Sequence, residues 1–141
     1  MTPIRSRSER ETEEIGRRLA AEVCAADVVY LRGDLGAGKT AFVRGLAAGL
    51  GARDREVASP TFAIVHEYAD AHDAVVLRHL DLYRLEDETR ELERLGLPDA
   101  LSGAPLAVEW PGTAVAALLP PTIEVEIARR GEGEREIVIR R

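Results

Sequence analysis

Apolar residues first recur at helical spacing between residues 8 and 24. Ile15, Leu19 and Val23 stand four apart and share one face, with Thr12, Gly16 and Ala20 beside them. Ser8 is positioned as the N-cap and Glu11, three residues on, as its capping-box partner. At 27–32 the pattern becomes a short apolar run rich in β-branched residues, which predicts a strand. A glycine-rich stretch follows at once. Residues 40–50 return to helical spacing, with Val43, Leu46, Ala47 and Leu50 on one face and Gly49 and Gly51 marking the C-terminal end.

Further on, the pattern predicts strands at 61–68, after a Ser59-Pro60 turn, and at 74–83. It predicts a helix at 87–95 stopped by Gly96, a short buried strand at 105–110 containing an acid near its end, and a helical turn or short helix at 113–119. Residues 121–128 and 135–140 alternate at period two around Arg130-Gly131-Glu132-Gly133, the signature of a hairpin. This order predicts an α/β fold: a mixed, mostly parallel sheet flanked by helices, ending in an antiparallel hairpin, with ligand at the carboxyl ends of the parallel strands. No repeat, long linker or low-complexity segment interrupts it, and 141 residues suffice for one domain with a real core.

Charge and cysteine content narrow the function classes. A net charge of −6 argues against a generic nucleic-acid coat protein, so any RNA contact needs a local arginine patch. Arg129, Arg130, Arg135, Arg140 and Arg141 are a candidate set, but they read first as solvated strand and turn residues. The one cysteine, Cys24, can form no intrachain disulfide and no thiolate metal site; on an apolar helix it reads as a small core residue. No apolar run approaches the roughly 18 residues of a membrane span, and the N-terminus is polar, so the chain reads as cytoplasmic.

The glycine stretch carries the chemistry. Gly33-Asp34-Leu35-Gly36-Ala37-Gly38-Lys39-Thr40 fits the phosphate-binding P-loop, and it sits between a strand and a helix as that motif requires. Its lysine is the only one in the chain, against eighteen arginines. A compact ammonium is retained where it must reach between β- and γ-phosphates; a planar guanidinium is too wide. The glycines let successive N–H groups point inward, the helix adds its positive end, and the Thr40 hydroxyl is the usual ligand to Mg²⁺. A P-loop also needs an acid on a neighbouring strand. Glu109 and Asp81 both end apolar strands, and spacing alone does not rank them.

Thr61 reads either as a switch residue sensing the γ-phosphate or as an ordinary strand start. Trp110, the one tryptophan, reads as core or as a gate beside the site. His66, His72 and His79 share no metal-ligand spacing; His66 reads as a core histidine, and His79 should share a strand face with Asp81. The chain contains no asparagine and no glutamine. It therefore has neither the [N/T]KxD guanine motif nor the water-positioning Gln of Ras-like GTPases, nor the Q-loop of transporter ATPases. An attacking water would have to be held by Thr61, Asp81 or a partner's residue, which predicts weak hydrolysis by the chain alone. Two other readings stay open at this point: a small-molecule phosphotransferase, against which no arginine-rich lid segment is found, and a nucleotide-gated interaction module whose hydrolysis is incidental.

Four blocks in order, residues 33–40, Ser59-Pro60-Thr61-Phe62, the 79–85 stretch His-Leu-Asp-Leu-Tyr-Arg-Leu, and Glu109-Trp110-Pro111, resemble the TsaE (formerly YjeE) family, small bacterial ATPases of tRNA threonylcarbamoyladenosine biosynthesis. The resemblance runs from about residue 5 to residue 128. It implies a P-loop ATPase that uses ATP and Mg²⁺ to drive turnover of a TsaB–TsaD complex, which attaches threonylcarbamoyl to adenosine 37 of tRNAs reading ANN codons. It implies phosphate binding by Gly33, Asp34, Leu35, Gly36, Ala37, Gly38, Lys39, Thr40 and Ala41, with Mg²⁺ on Thr40 and Glu109. It implies hydrolytic roles for Lys39, Asp81 and Thr61, Trp110 beside the nucleotide, and Glu9 and Thr12 near the adenine. Ala41 departs from the second threonine common after Gly-Lys-Thr, and Gly112 from a frequent acid. Nothing is implied for the segment after Ala128.

Overall fold

The computed structural model describes residues 2–34, 36–53, 57–58, 65–83, 88–96 and 103–141. In chain order the elements are β1 (Ile4–Ser6), α1 (Glu9–Leu19), a 3-10 turn (Ala20–Glu22), β2 (Val28–Arg32), α2 (Lys39–Gly49), β3 (Val57–Ala58) and β4 (Val65–Ala69). They continue with β5 (Val75–Asp81), α3 (Glu88–Leu95), β6 (Leu106–Glu109), α4 (Thr113–Leu118), β7 (Ile123–Gly131) and β8 (Glu134–Arg140). The strands form one sheet in the order β1-β8-β7-β2-β6-β5-β4-β3. Its centre, β7-β2-β6-β5, is parallel. Both flanks are antiparallel, β1-β8-β7 on one side and β5-β4-β3 on the other.

Alternation along the central strands divides the core into two layers. Val29 and Leu31 point to one face, where they meet Phe42, Val43 and Leu46 of α2, Ile15 and Leu19 of α1, and Val125, Ile127 and Ile137 of the hairpin. Tyr30 points to the other face, with Leu80, Val108, Leu92 and Val115 under α3 and α4. Its hydroxyl donates to Leu119 O at 2.6 Å, so the one polar atom of that large side chain is satisfied. The result is helices on both faces of a sheet whose central strands all run the same way, and a loop site at their carboxyl ends.

The two helices of the first layer lie very close, and glycine is the reason. A Cβ on Gly45 would stand 1.9 Å from Glu13 O, and one on Gly16 would stand 2.3 Å from Phe42 O. α1 is thereby pressed against the first turns of α2, which brings its N-terminal end beside the glycine loop.

Several local expectations need correction. β1 and β3 were not foreseen, because three and two residues are too few to show alternation. Ser8 does cap α1, accepting from Glu11 N–H at 3.1 Å, but the Glu11 carboxylate reaches Arg7 N–H rather than the N–H of Ser8. Cys24 is exposed and off the helix. The backbone tightens to 3-10 after Leu19, becomes extended at Val23, and Cys24 enters a turn in which its N–H donates to Asp27 Oδ2 at 2.7 Å. Of the strand expected at 61–68, residues 65–68 belong to β4, while 61–64 and the Ser59-Pro60 turn lie outside the described residues.

Gly45→Ala forces α1 away from α2 because the obstructing atom is backbone and cannot rotate aside. It should destabilise the protein by about 2–3 kcal/mol, read as a lower urea midpoint at unchanged slope.

Candidate functional site

The loop between β2 and α2 is shaped by its glycines and its neighbours. Ala37 N–H donates to Asp34 O at 3.0 Å, closing a turn. Gly38 enters α2 at φ +109°, a conformation glycine adopts without a steric penalty. No side chain caps α2 and its first turn carries no acid, so its leading N–H groups and positive helix end are left for an anion. Leu35 lies outside the described residues.

Lys39 opens α2 and is only 5% exposed. Its Nζ donates to Gly33 O and stands 3.4 Å from the centroid of the Trp110 ring. Burial pushes its pKa down, and the charges of Glu109, Asp81 and Asp34 push part of the way back. Trp110 holds φ +57°, a strained value for so bulky a residue, worth roughly 1–3 kcal/mol. Its ring packs against Tyr83 with centroids 4.9 Å apart. Trp110 thus borders the site's cavity while also packing, partly buried, against the second core layer.

The two acids that spacing could not rank are neighbours. β5 and β6 run parallel with Asp81 opposite Glu109. Period-two alternation puts His79 and Asp81 on the α2 side with Leu77, and Glu109 on that side with Ala107. Their surroundings differ. Glu109 is 4% exposed, and its Oε2 meets Nε2 of the buried His79 at 2.6 Å. Asp81 is exposed, and its Oδ1 accepts from Tyr83 N–H at 3.0 Å. His79 therefore steadies Glu109, while Asp81 remains open to solvent.

Lys39, Asp81, Glu109 and Trp110 line one cavity of about 390 Å³, together with Gly36, Gly38, Thr40 and Ala41, a size suited to a cofactor-sized ligand. Glu9 and Thr12 line it too, so the N-terminal helix does reach the site. Gly33 and Asp34 line an adjoining recess beside Trp110. Thr61 lies outside the described residues. The oxygen donors of Thr40, Asp81 and Glu109 suit a hard cation such as Mg²⁺. Among the described residues no three His, Cys, Asp or Glu form a ready cage, in keeping with an ion that completes its shell with phosphate oxygens and water.

The cavity also includes residues that sequence reasoning missed: Ser8, Arg44, Tyr83, Gly133 and Arg135. Arg44 was findable, since it stands four residues after Thr40 on one helix face; it pairs with Glu13 at 2.8 Å and Glu9 at 3.2 Å. Arg135 was not, because only the pairing of β8 brings it there. The C-terminal arginines accordingly divide. Arg130, Arg140 and Arg141 are exposed and paired with Glu136, Glu126 and Glu22, as solvated strand residues are. Arg135 instead donates to the backbone of the glycine loop.

Comparison with known proteins agrees with this geometry. The family model described as threonylcarbamoyl adenosine biosynthesis protein TsaE matches residues 6–137, extending into the second strand of the hairpin, past residue 128 where the motif resemblance ends. The chain is 44% identical over 128 residues to the tRNA threonylcarbamoyladenosine biosynthesis protein TsaE of Bacillus subtilis, covering 90% of this chain and 77% of that one. It is 43% identical over 116 residues to the Streptomyces coelicolor protein of the same name, covering 82% and 78%. The crystal structure of Bacillus subtilis YdiB superposes with a TM-score of 0.70 at 36% identity, covering 98% of this chain and 83% of that one.

Because burial holds the Lys39 pKa below its usual 10.5, the unfolded chain binds that proton more tightly than the folded one. Stability from this group therefore rises as pH climbs from the folded pKa toward 10.5. Without nucleotide, Lys39→Met should melt no lower than the wild type at neutral pH. The wild type should gain on it as pH rises through the alkaline range, in matched thermal melts.

Proposed function

Because the chain belongs to the TsaE family of threonylcarbamoyl adenosine biosynthesis proteins, we propose that it is the Mg²⁺-dependent ATP-binding and hydrolysing component of that tRNA-modification machinery. The observation that carries this reading is Lys39, a buried ammonium at the head of an uncapped helix, in the cavity that also holds Asp81 and Glu109.

In this reading the amides of Gly36, Gly38, Lys39 and Thr40 receive the β-phosphate, the Ala37 N–H being held by Asp34 O, and Lys39 leaves the Gly33 carbonyl and the Trp110 ring to lie between the β- and γ-phosphates. The exchange relieves the ammonium of its poorly solvated place, so part of the binding energy is stored in the free site. Mg²⁺, when bound, neutralises charge on the β- and γ-oxygens. Thr40 and Glu109 would hold it, with Glu109 kept in orientation by His79. Asp81, exposed at the mouth, orients the attacking water, with Thr61 as its companion. Glu9 and Thr12 flank the adenine. Trp110 and Tyr83 form the aromatic wall beside the triphosphate.

Hydrolysis by this set is slow, because the chain supplies no Gln or Asn to hold the water. The energy of the ATP cycle is spent on a partner, the TsaB–TsaD complex, resetting it between rounds of modification of adenosine 37 in tRNAs that read ANN codons. The setting is the cytoplasm, and tRNA is met through the complex. No helix among the described residues is long and apolar enough to cross a membrane.

ATP turnover by the purified chain, measured alone and with the cognate TsaB–TsaD complex, tests the reading. Turnover should be slow alone, change on adding the complex, and vanish in Lys39→Ala. Asp81→Ala should still bind ATP and hydrolyse it at least about 100-fold more slowly. Brisk turnover indifferent to the complex would refute the coupling, and phosphate delivered to a metabolite instead of water would make the protein a kinase.

A further inference from the structure

Arg135 of β8 lies ninety-eight positions from Ala37 in sequence, yet its Nε donates to Ala37 O at 2.8 Å. Its Nη2 donates to Gly36 O at 3.1 Å, and Nη1 to Glu134 O at 3.0 Å. All three nitrogens are turned on backbone carbonyls. Among the described residues no carboxylate is paired with Arg135, in contrast to Arg130 and Arg140 on the same hairpin. A planar fork on two successive carbonyls is a geometry that an ammonium reproduces only in part.

The consequence follows from the planarity of the peptide unit. In a trans peptide the N–H points opposite to the preceding C=O. Holding Gly36 O and Ala37 O outward, toward the hairpin, turns the N–H groups of Ala37 and Gly38 inward. The Ala37 N–H is taken by Asp34 O, which sets the turn. By the same planarity the Gly38 N–H is turned to the side away from the hairpin, and Gly38 lines the cavity in which the proposed phosphate would bind. Glycines at 36 and 38, with φ of +77° and +109°, give the loop little preference of its own, so an outside brace decides its shape. A cation on the carbonyl side also polarises both peptides toward an anion on the N–H side.

The brace is itself anchored. β1 and β7 flank β8, with Ser6 and Arg129 opposite Arg135 in register. The buried Ser6 Oγ lies 2.7 Å from Thr12 Oγ1, and the Thr12 methyl lies 3.6 Å from where a Cβ on Gly38 would be. Arg129 is exposed, with Nη1 3.9 Å from where a Cβ on Gly36 would be, so the same edge carries a second positive charge.

We propose that Arg135 is a positioning residue for phosphate binding: it preorganises the glycine loop by fixing the outer carbonyls of Gly36 and Ala37, making the C-terminal hairpin part of the nucleotide site. This rests on the reading of the cavity as a nucleoside triphosphate site.

The test is a titration of Mg²⁺ and a fluorescent N-methylanthraniloyl ATP into wild type, Arg135→Ala, Arg135→Lys and the control Arg130→Ala, each also melted without nucleotide. Arg135→Ala should bind about tenfold more weakly or worse, the size expected for charge-assisted hydrogen bonds, with its nucleotide-free melting little changed. Arg135→Lys should fall between, and millimolar guanidinium should recover part of the affinity of Arg135→Ala alone. Arg130→Ala should match the wild type. Should Arg135→Ala not fold, Arg135→Lys carries the test: weaker binding than the wild type at an unchanged nucleotide-free melting temperature supports the proposal, and wild-type affinity overturns it. Arg135→Ala within twofold of the wild type overturns the proposal. So does a loss that tracks a lowered melting temperature and is recovered by neither lysine nor guanidinium. Failure of the wild type itself to bind overturns the nucleotide reading first, and this proposal with it.

Discussion

A buried ammonium without a carboxylate in contact is the constraint on which this site is built. Lys39 makes no ion pair among the described residues, and its nearest partners are a backbone carbonyl and the face of an indole. Both are weak, replaceable ligands for a cation. Three acids, Glu109, Asp81 and Asp34, stand near enough to temper the cost of burial without cancelling it. A direct salt bridge would have made the free protein more comfortable and the incoming phosphate less welcome, since one strong partner would have to be broken to make another. The strained Trp110 backbone belongs to the same arrangement: the fold tolerates an unfavourable φ in order to lay a ring over the amine.

The two sides of the loop are held by different means. On one side, α1 is pressed onto α2 through Gly16 and Gly45, which delivers Ser8, Glu9 and Thr12 to the cavity. On the other, the hairpin delivers Gly133 and Arg135. Neither element belongs to the strand–loop–helix unit that carries the motif. The candidate site is therefore assembled from five stretches of chain, at 8–12, 36–44, 81–83, 109–110 and 133–135, and the motif accounts for only one of them.

What could be read from the sequence follows the range of the interaction that fixes each feature. β2, the loop and α2 were legible because period, glycine spacing and the lone lysine are local signals. Glu109 and Asp81 were legible as acids at strand ends, but their adjacency depends on the register of β5 against β6, which no local pattern encodes. Arg135 looked like its solvated neighbours because only long-range pairing distinguishes it. Cys24 was misplaced by a change from α to 3-10 winding, a difference of one backbone turn that side-chain periodicity does not report. β1 is too short to announce itself, yet it seats the serine that locks Thr12 beside the loop.

The place of β2 in the sheet has a consequence for synthesis. Its two neighbours are β6 and β7, and the Val28 N–H finds its acceptor in Thr122, ninety-four positions later. A ribosome that has delivered the whole glycine loop has delivered a strand with nothing to pair with on either side. Pairings of such long range are slow to form. The emerging chain thus carries β2 and the glycine loop well before either neighbour of β2 exists, and the parallel centre of the sheet can close only after both β6 and β7 have been made.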